Sequence, residues 1–416
     1  KAMTTEEFIR ANADADISRL ALQHAGRTDI DLPYALDQIA GRRKARLKLP
    51  QWAATEGIVY PPHLSMEQCS SEQTARYKAD VAARLMKEAT NEKPATTTDG
   101  TGGSVLVDLT GGFGVDFSYL APLFGRAVYI ERQSRLCDIS RHNMACLGIT
   151  QAEVVCGDCT QIIEALGHAT MIYADPARRD GHGGRTFAIS DCTPDVLALR
   201  DTLLAKADFT MIKLSPMLDW RKAVADMGGC VGEVHIVSAG NECKELLLVV
   251  SSRYDGLECV YCVNDGQAFS FTPEEASTQP ATDSPAAPGG TPGDATPPYL
   301  YEPNASLMKA GCFALIARRY GARQVSRDSH LFISAEAITD FPGRSFTVKA
   351  VTTMNKRELK AALAGIDRAN VSVRNFPMTA DALRKKLRLK DGGGIYIFGT
   401  TAEDGRHLLF VCEKHV

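Results

Sequence analysis

Acidic residues end three short apolar runs in the middle of the chain, and a glycine-rich segment follows the first of them. The run V-L-V-D ends in Asp108 and leads into T-G-G-F-G at 110–114, where glycines allow a tight backbone turn beneath a ligand. The run A-V-Y-I-E ends in Glu131, and V-V-C-G-D ends in Asp158. Because the carboxyl ends of parallel strands meet at one edge of a sheet, we expect these three carboxylates to surround one pocket.

The spacing of these residues excludes two common nucleotide-binding loops. A dinucleotide loop needs a further glycine where Phe117 stands, and no Gly-Lys-Ser/Thr follows as in a phosphate-binding loop. An acidic residue before the glycines suits a cofactor with a cationic amino-acid moiety. Glu131 can accept hydrogen bonds from both ribose hydroxyls, and Asp158 from an adenine amino group. The pattern predicts S-adenosylmethionine binding. The predicted cofactor-binding residues are Asp108, Thr110, Gly111, Gly112, Gly114, Asp116, Glu131, Arg132, Asp158, Cys159 and Asp175.

A fourth apolar run, M-I-Y-A, precedes the segment D-P-A-R-R at 175–179. Methyl transfer is an in-line displacement, so the enzyme's main task is to align the acceptor. The Asp175 carboxylate and a carbonyl of Pro176 or Ala174 can hold both hydrogens of an exocyclic base amine and turn its lone pair toward the methyl group. The alternative is a structural Asp-Pro turn with solvated arginines. The predicted catalytic residues are Asp175, Pro176 and Arg178, and the predicted substrate residues are Tyr173, Arg179, Phe187, Lys213 and Trp220.

The elements that must position these residues follow from the hydrophobic pattern. Residues 104–251 contain seven strand-like runs; the first five are separated by enough chain for crossover helices, which predicts a buried parallel sheet with an antiparallel final pair. Residues 4–98 have helical spacing, and Ser70 with Gln73 can form a capping box before a helix. The segment 277–298 contains six prolines, three glycines and no large apolar residue, which predicts a mobile insertion.

The motifs resemble those of class I S-adenosylmethionine-dependent methyltransferases. Asp175-Pro176 stands where amino-group methyltransferases carry Asp/Asn-Pro-Pro followed by an aromatic residue, although Ala177 and Arg178 occupy the last two positions here. The sequence D-L-T-G-G-F-G followed by R-H-N-M-A-C-L-G-I is similar to RNA guanine-N2 methyltransferases related to the cap hypermethylases. Those enzymes cover the methionine end of the cofactor with a Thr-Pro-Glu-x-Ile-Ala segment. The similar S-S-E-Q-T-A-R-Y at 70–77 adds Thr74 to the expected cofactor residues, with a plain capped helix as the alternative.

Nearly the whole chain resembles bacterial methyltransferases that carry a THUMP-like module at the carboxyl end, although true THUMP modules usually precede the catalytic domain. The resemblance implies an α/β fold: a Rossmann-like seven-stranded methyltransferase sheet with a helical N-terminal domain and small α+β C-terminal domains. The expected domains are a helical domain at 1–98, the methyltransferase domain at 99–254, a ferredoxin-like α+β region at 255–340 with the disordered insertion 277–298, and the THUMP-like domain at 341–416.

THUMP modules bind RNA, so the resemblance implies a structured RNA substrate such as tRNA or rRNA. We expect N-methylation of a purine amino group, guanine N2 ahead of adenine N6. One alternative is a small-molecule or protein methyltransferase, and another is an RNA-binding protein with a vestigial methyltransferase fold. Basic runs at 41–48 and 384–390 would present positive faces to phosphates if helical, with solvated helix faces as the alternative.

The composition of the chain limits the classes of protein to which it can belong. The 416 residues are 44% hydrophobic, which is typical of globular protein with two to four domains. The net charge of −3 means that any RNA contact must use local patches. No run approaches the roughly 18 apolar residues of a membrane span, the first thirty residues lack a secretory pattern, and the 12 cysteines are scattered, so we expect a cytoplasmic protein. The pairs Cys156/Cys159 and Cys259/Cys262 lie too far apart in sequence to favour a metal site, and the oligomeric state stays open.

Overall fold

The computed structural model describes residues 3–92, 103–178, 188–277 and 296–415. The chain divides into two compact units. The first unit comprises Lys1–Val234 and Leu246–Leu257, and the second comprises His235–Glu245 and Glu258–Val416. Most of the predicted insertion, at 278–295, lies outside the described residues, as do the predicted substrate residues Arg179 and Phe187. The four predicted domains stay a prediction.

Among the described residues, six helices occupy the N-terminal part of the first unit, which confirms the predicted helical region. They are α1 Thr5–Ala11, α2 Ile17–Gln23, α3 Leu32–Lys48, α4 Pro50–Ala54, α5 His63–Gln68 and α6 Glu72–Glu92. Side chains cap the first three: Thr4 forms a capping box with Glu7, and Asp16 and Asp31 accept backbone N–H groups of α2 and α3. The first three helices share a small core built around Phe8.

A mostly parallel sheet and a separate pair of short strands, β5 and β6, follow in the first unit. The strands are β1 Val105–Asp108, β2 Arg126–Glu131, β3 Ala152–Cys156, β4 Ala169–Ala174, β5 Ala177–Arg178, β6 Cys192–Thr193, β7 Ala207–Leu214, β8 Val231–Ala239 and β9 Glu242–Val250. The helices are α7 Val115–Leu120, α8 Ser134–Cys146, α9 Cys159–Ala165, α10 Arg200–Lys206 and α11 Trp220–Met227. Short 3₁₀ turns lie at Ala121–Leu123 and Ile189–Asp191.

The strand order in this unit is β3-β2-β1-β4-β7-β9, followed by the first residues of β8. The pairs β1–β2, β2–β3, β1–β4 and β4–β7 are parallel, and β9 runs antiparallel to β7. The predicted seven strands and the antiparallel end are therefore confirmed. The chain order reverses between β1 and β4, and ligands of open α/β sheets bind outside the carboxyl ends of the strands at such a switch point. The two-residue strands β5 and β6 form a separate antiparallel two-stranded sheet that the sequence did not predict.

The second unit contains two sheets. Within it, the ends of β8 and β9 continue into the hairpin of β10 Cys259–Asn264 and β11 Gln267–Phe271, in the order β11-β10-β8-β9. The remaining strands are β12 Tyr299–Pro303, β13 Arg323–Gln324, β14 Phe332–Ser334, β15 Gly343–Thr352, β16 Arg368–Arg374, β17 Lys390–Thr401 and β18 His407–Lys414. The helices are α12 Pro273–Ser277, α13 Ala305–Ala310, α14 Phe313–Tyr320, α15 Lys356–Ala362 and α16 Ala380–Lys386.

The last seven strands form one sheet in the order β13-β14-β12-β15-β18-β17-β16. Only β16 and β17 pair in parallel; the other pairs are antiparallel. The predicted β-α-β-α-β-β order near the carboxyl end is confirmed by β15 to β18 with α15 and α16. Because β12 pairs with β15, the predicted ferredoxin-like and THUMP-like regions share this sheet. In the described ranges, no helix combines the length and apolar character that a membrane crossing requires.

Candidate active site

The loop between β1 and α7 is held against β2, and its glycines are required by its geometry. Gly112 and Gly114 have φ of +56° and +85°, a region that side chains rarely adopt. A Cβ on Gly111 would lie 2.3 Å from the Tyr129 ring. The Gly111 N–H donates to the Ile130 carbonyl at 2.8 Å, and the Tyr129 hydroxyl donates to the Gly112 carbonyl. These contacts hold the backbone of the loop close to the strand ends.

Asp108 lies at the end of β1, with only 1% of its surface exposed. Its Oδ1 accepts the Thr110 N–H at 2.9 Å and the Thr110 hydroxyl at 3.2 Å. Burial raises the pKa of Asp108 well above its usual range; the nearby carboxylates of Asp116 and Asp175 raise it further, and the bonds from Thr110 oppose the shift. A cation placed beside this carboxylate would stabilise its ionised form. The Asp108 carboxylate therefore suits an ammonium group.

Glu131 ends β2, and backbone amides fix its carboxylate. Oε1 accepts the N–H groups of Arg132 at 2.8 Å and Gln133 at 3.0 Å, and Oε2 accepts the Gly112 N–H at 2.9 Å. A carboxylate offers about four acceptor positions, so three bonds leave it able to accept a further hydroxyl. The half-buried Glu131 is thus oriented by the glycine loop that it helps to hold.

Asp158 follows β3 and caps α9. Its Oδ1 accepts the Thr160 hydroxyl at 2.7 Å and the Thr160 N–H at 2.9 Å, and these bonds lower the pKa of Asp158. The adjoining Gly157 N–H donates to the Glu131 carbonyl at 2.9 Å, which ties the end of β3 to the end of β2. Cys159 is buried in the first turn of α9, and burial raises the pKa of its thiol.

Asp175 and Lys213 lie side by side at the carboxyl ends of β4 and β7. Ala174 and Ile212 are paired in the parallel register, so the next residue of each strand projects at the same edge. The Lys213 Nζ lies 3.2 Å from Asp175 Oδ2, and the Asp175 N–H donates to the Thr110 hydroxyl at 2.7 Å. The Asp175 side chain is 41% exposed, so it is accessible to a substrate, whereas Lys213 is largely buried. These contacts join the glycine loop and the predicted acceptor residue.

Two of the predicted aromatic substrate residues, Tyr173 and Trp220, are buried in the protein. Tyr173 is 1% exposed, and its hydroxyl donates to Asp116 Oδ2 at 2.6 Å. Trp220 lies in α11 at 5% exposure, with the Arg221 guanidinium 4.4 Å from its ring centroid. This corrects the expectation that either ring stacks on a base, because neither is open to one. Pro176 is buried next to Asp175, and Arg178 lies in β5, whose backbone pairs with β6.

A buried polar cluster that the sequence interpretation missed lies beside Asp175. The Ser70 hydroxyl donates to Asp116 Oδ2 at 3.0 Å, and the Lys78 Nζ lies 3.2 Å from Asp116 Oδ1. Lys78, in α6, has no solvent exposure. Burial alone would raise the pKa of Asp116, but the Lys78 and Lys213 ammonium groups and two hydroxyl donors outweigh it and lower the pKa. A signal was present: Lys78 occupies a core position of an otherwise apolar helix face.

The start of α6 differs from the expected capping box. Ser71, not Ser70, caps the helix: its hydroxyl accepts the Thr74 N–H at 3.3 Å. The Thr74 hydroxyl is buried and donates to the Ser71 carbonyl at 3.2 Å. The one-residue shift frees Ser70 from the helix end and lets it reach Asp116 instead. The side chains of Thr74 and Asp116 both bond to other groups of the protein. Their direct contact with the cofactor stays a prediction.

The two basic runs differ in their surroundings. In 41–48, intramolecular partners engage part of the charge: Arg46 pairs with Asp14 at 2.6 Å, Lys44 with Glu67 at 2.6 Å, and Lys48 donates to two carbonyls of α5. The basic face expected there stays a prediction. In the run 384–390 of the second unit, Arg384 pairs with Asp381, and the exposed cations are Lys385, Lys386, Arg388 and Lys390.

Neither C-x-x-C pair forms part of a metal-ligand cluster. Cys159 and Cys262 are buried, whereas Cys156 is exposed and Cys259 is half-buried. Within the residues that the structure describes, no three His, Cys, Asp or Glu side chains converge as a metal site would require. All of the cysteines are free thiols.

Comparison with known proteins identifies the family. Residues 343–414 match the model of a THUMP domain-like family, and residues 299–342 match a ferredoxin-like domain. Two strains of Mycobacterium tuberculosis have relatives described as uncharacterized S-adenosylmethionine-dependent methyltransferases; each is 25% identical over 366 residues, which cover 86% of this chain and 89% of the relative.

A crystal structure of a candidate methyltransferase from Porphyromonas gingivalis W83 matches nearly the full length. It is 31% identical, with a TM-score of 0.81, and the match covers 99% of this chain and 98% of that one. Neither chain therefore has a large part that the other lacks. The protein belongs to the family of this Porphyromonas protein: it is a class I S-adenosylmethionine-dependent methyltransferase that carries a THUMP-like domain toward its carboxyl end.

Proposed function

We propose that this enzyme N-methylates a purine amino group, guanine N2 ahead of adenine N6, in a structured RNA such as tRNA or rRNA. The observation that carries the proposal is the position of Asp175. Its carboxylate is partly exposed at the carboxyl end of β4, beside the glycine loop, with Oδ2 held by Lys213. An oriented carboxylate at this point suits an acceptor that offers N–H groups.

Four groups around the glycine loop would hold the cofactor. The buried Asp108 suits the ammonium group of the methionine moiety, because that charge would stabilise an otherwise disfavoured carboxylate. Glu131 suits a ribose hydroxyl and Asp158 the adenine amino group, since backbone or helix-cap bonds already orient each carboxylate. The backbone at 111–114 lets a ligand approach closely. We also assign Arg132 and Cys159 to the cofactor site, because they directly follow Glu131 and Asp158 in the sequence.

The acceptor is aligned by hydrogen-bond acceptors. When bound, S-adenosylmethionine would supply the electrophilic methyl group to the acceptor nitrogen, and that nitrogen would release one proton to solvent water. Asp175 Oδ1 would accept one amine hydrogen and a carbonyl at Ala174 or Pro176 the other, which directs the lone pair toward the methyl group. The negative charge of Asp175 would also stabilise the positive charge that develops on nitrogen. Arg178 would contact an anionic part of the substrate.

The RNA assignment rests on the second unit. The match to a THUMP domain-like family over 343–414 supports it. So do the exposed cations Lys385, Lys386, Arg388 and Lys390, at the end of α16 and the start of β17. Such a cluster can contact several phosphates at once, while the chain as a whole stays close to neutral.

A labelling experiment tests the proposal. RNA from cells that lack the gene is incubated with the enzyme and S-adenosylmethionine carrying a labelled methyl group, and the modified nucleoside is then identified by mass spectrometry. We expect label in N2-methylguanosine, or else N6-methyladenosine, no label with D175A, and cofactor binding by D175A that calorimetry finds close to wild type. Label confined to protein or small molecules would contradict the RNA assignment, and label on a ring carbon or ribose oxygen would contradict the role of Asp175.

A further inference from the structure

The acceptor site includes a cation from the neighbouring strand. Lys213 ends 3.2 Å from Asp175 Oδ2 and 3.3 Å from the Ser70 hydroxyl, so its ammonium group bridges β4 and the residue before the cap of α6. The side chain is 14% exposed, which leaves the ammonium group few water partners. A lysine held in this way occupies a defined position, unlike a surface lysine that samples many rotamers.

The Ser70 hydroxyl explains why Lys213 is held. A serine hydroxyl has one proton to donate and two lone pairs that accept. The proton goes to Asp116 Oδ2 at 3.0 Å, and the lone pairs accept from Lys78 at 3.2 Å and from Lys213 at 3.3 Å. Each hydrogen-bonding position of Ser70 is therefore used, and its direction toward Lys213 is fixed by two groups that are themselves buried.

The charges in this cluster are balanced. Lys78 contacts Asp116 at 3.2 Å, and Lys213 contacts Asp175 at 3.2 Å, so two ammonium groups face two carboxylates. If Lys213 were neutral, Asp175 would lose the one cationic partner that the described residues give it. The positive charge of the cofactor would bind close by. The carboxylate would then be drawn toward that charge rather than toward the acceptor.

We propose that Lys213 is a positioning residue for methyl transfer, which fixes the Asp175 carboxylate so that Oδ1 faces the acceptor. The inference deepens the proposed role of Asp175 and rests on it, but it does not depend on which molecule is methylated. Lys213 binds Asp175 rather than substrate or cofactor. Its loss should therefore reduce the rate of transfer and leave the affinity for the cofactor nearly unchanged.

The test compares K213M, K213R and the control K222M. Lys222 is an exposed lysine of the same unit, paired with Asp226 one helical turn away, so its replacement leaves the acceptor site intact. Each purified protein is given labelled S-adenosylmethionine and an extract of cells that lack the gene, which is afterwards separated into RNA, protein and small molecules. The kinetic constants are measured on whichever fraction takes label, and cofactor affinity is measured by calorimetry.

We expect kcat of K213M to fall about 10- to 100-fold, because a displacement of about 1 Å costs up to this much. Its cofactor Kd should stay within about threefold of wild type, K213R should recover part of kcat through its retained charge, and K222M should match wild type. Wild-type kcat in K213M would overturn the proposal. So would a loss of cofactor affinity as large as the loss of rate, since that pattern indicates a structural role.

A second variant guards against misfolding of K213M. S70A removes the other partner of Lys213 and should lower kcat in the same direction by a smaller factor, again with cofactor affinity retained. An unchanged kcat in S70A together with an unfolded K213M would count against the proposal. Label that enters only protein or small molecules refutes the RNA assignment, while the Lys213 comparison still runs on that fraction. The two failures are therefore distinguishable.

Discussion

The pair formed by Lys78 and Asp116 gives the sharpest stability prediction. Lys78 has no solvent exposure, and its Nζ lies 3.2 Å from a carboxylate oxygen of Asp116. In K78M the apolar stem is nearly preserved, so the main loss is the charge that compensates Asp116. Removing one partner of a buried pair costs about 3–5 kcal/mol. Because Ser70 and Tyr173 still donate to Asp116, we expect about 3 kcal/mol.

Tryptophan fluorescence suits this measurement. The chain has two tryptophans, and Trp52 and Trp220 are both buried in the first unit, so urea unfolding followed by fluorescence reports on that unit alone. About 3 kcal/mol corresponds to a fall in Tm of roughly 6–12 °C for a unit of this size. The exposed control K222M should stay within about 0.5 kcal/mol of wild type.

The pH dependence provides an independent check. The pKa of Asp116 is lowered in the folded protein, chiefly by Lys78 acting against burial. The stabilisation from its ionised form is therefore present above the carboxylate's unfolded-state pKa and is lost as the pH falls through the folded-state pKa. The difference in the free energy of unfolding between wild type and K78M should therefore become smaller as the pH falls.

A double-mutant cycle shows whether K78M loses stability because the Asp116 charge is left uncompensated. In K78M/D116N neither member of the pair is left as an uncompensated charge, so this protein should be more stable than K78M alone. The reasoning is refuted if K78M unfolds within about 1 kcal/mol of wild type, or if the double variant loses the sum of both single losses.

Three further predictions concern the cofactor loop and the RNA surface. In G111A the new methyl group would lie 2.3 Å from the Tyr129 ring, so calorimetry should find cofactor binding weakened at least about tenfold, whereas G167A, where nothing lies within 4 Å, should bind normally. D108N should lose cofactor binding yet unfold at higher urea near neutral pH. Because the pKa of Asp108 is raised in the folded protein, its favourable contribution to folding stability is lost as the pH rises through the folded-state pKa. Asparagine does not titrate and so avoids this loss. K386A should lower RNA affinity and reduce the slope of log affinity against log salt by about one, as filter binding at several salt concentrations will show.

The parallel sheet was predictable because its strands are buried on both faces and read as continuous apolar runs. The burial of β4 and β7 shows this directly. The acidic residues at the strand ends were equally visible, since each follows such a run. By contrast, the antiparallel pair of β5 and β6 contains two residues in each strand, too few for any periodicity to be read.

Side-chain partners that come from distant parts of the chain could not be predicted. Ser70 was assigned to a helix cap because local spacing allowed it, yet its partner Asp116 is 46 residues away. Tyr173 has the ring that base stacking requires, but it is buried, and its hydroxyl bonds to Asp116 of α7, 57 residues away in the sequence. The run 41–48 was interpreted by charge alone, although Asp14 and Glu67 neutralise part of it. Each error concerns a contact rather than a pattern.

The Thr110 hydroxyl has a consequence for the order of events at the site. It donates to Asp108 at 3.2 Å and accepts the Asp175 N–H at 2.7 Å, so one side chain contacts both the residue proposed to bind the cofactor and the residue proposed to orient the acceptor. With those roles, a change that the cofactor imposed on Asp108 would reach the backbone of Asp175 through Thr110. By thermodynamic reciprocity, the factor by which the cofactor altered acceptor affinity would equal the factor by which the acceptor altered cofactor affinity. We therefore expect exchange of spent for fresh cofactor to depend on whether the methylated product is still bound.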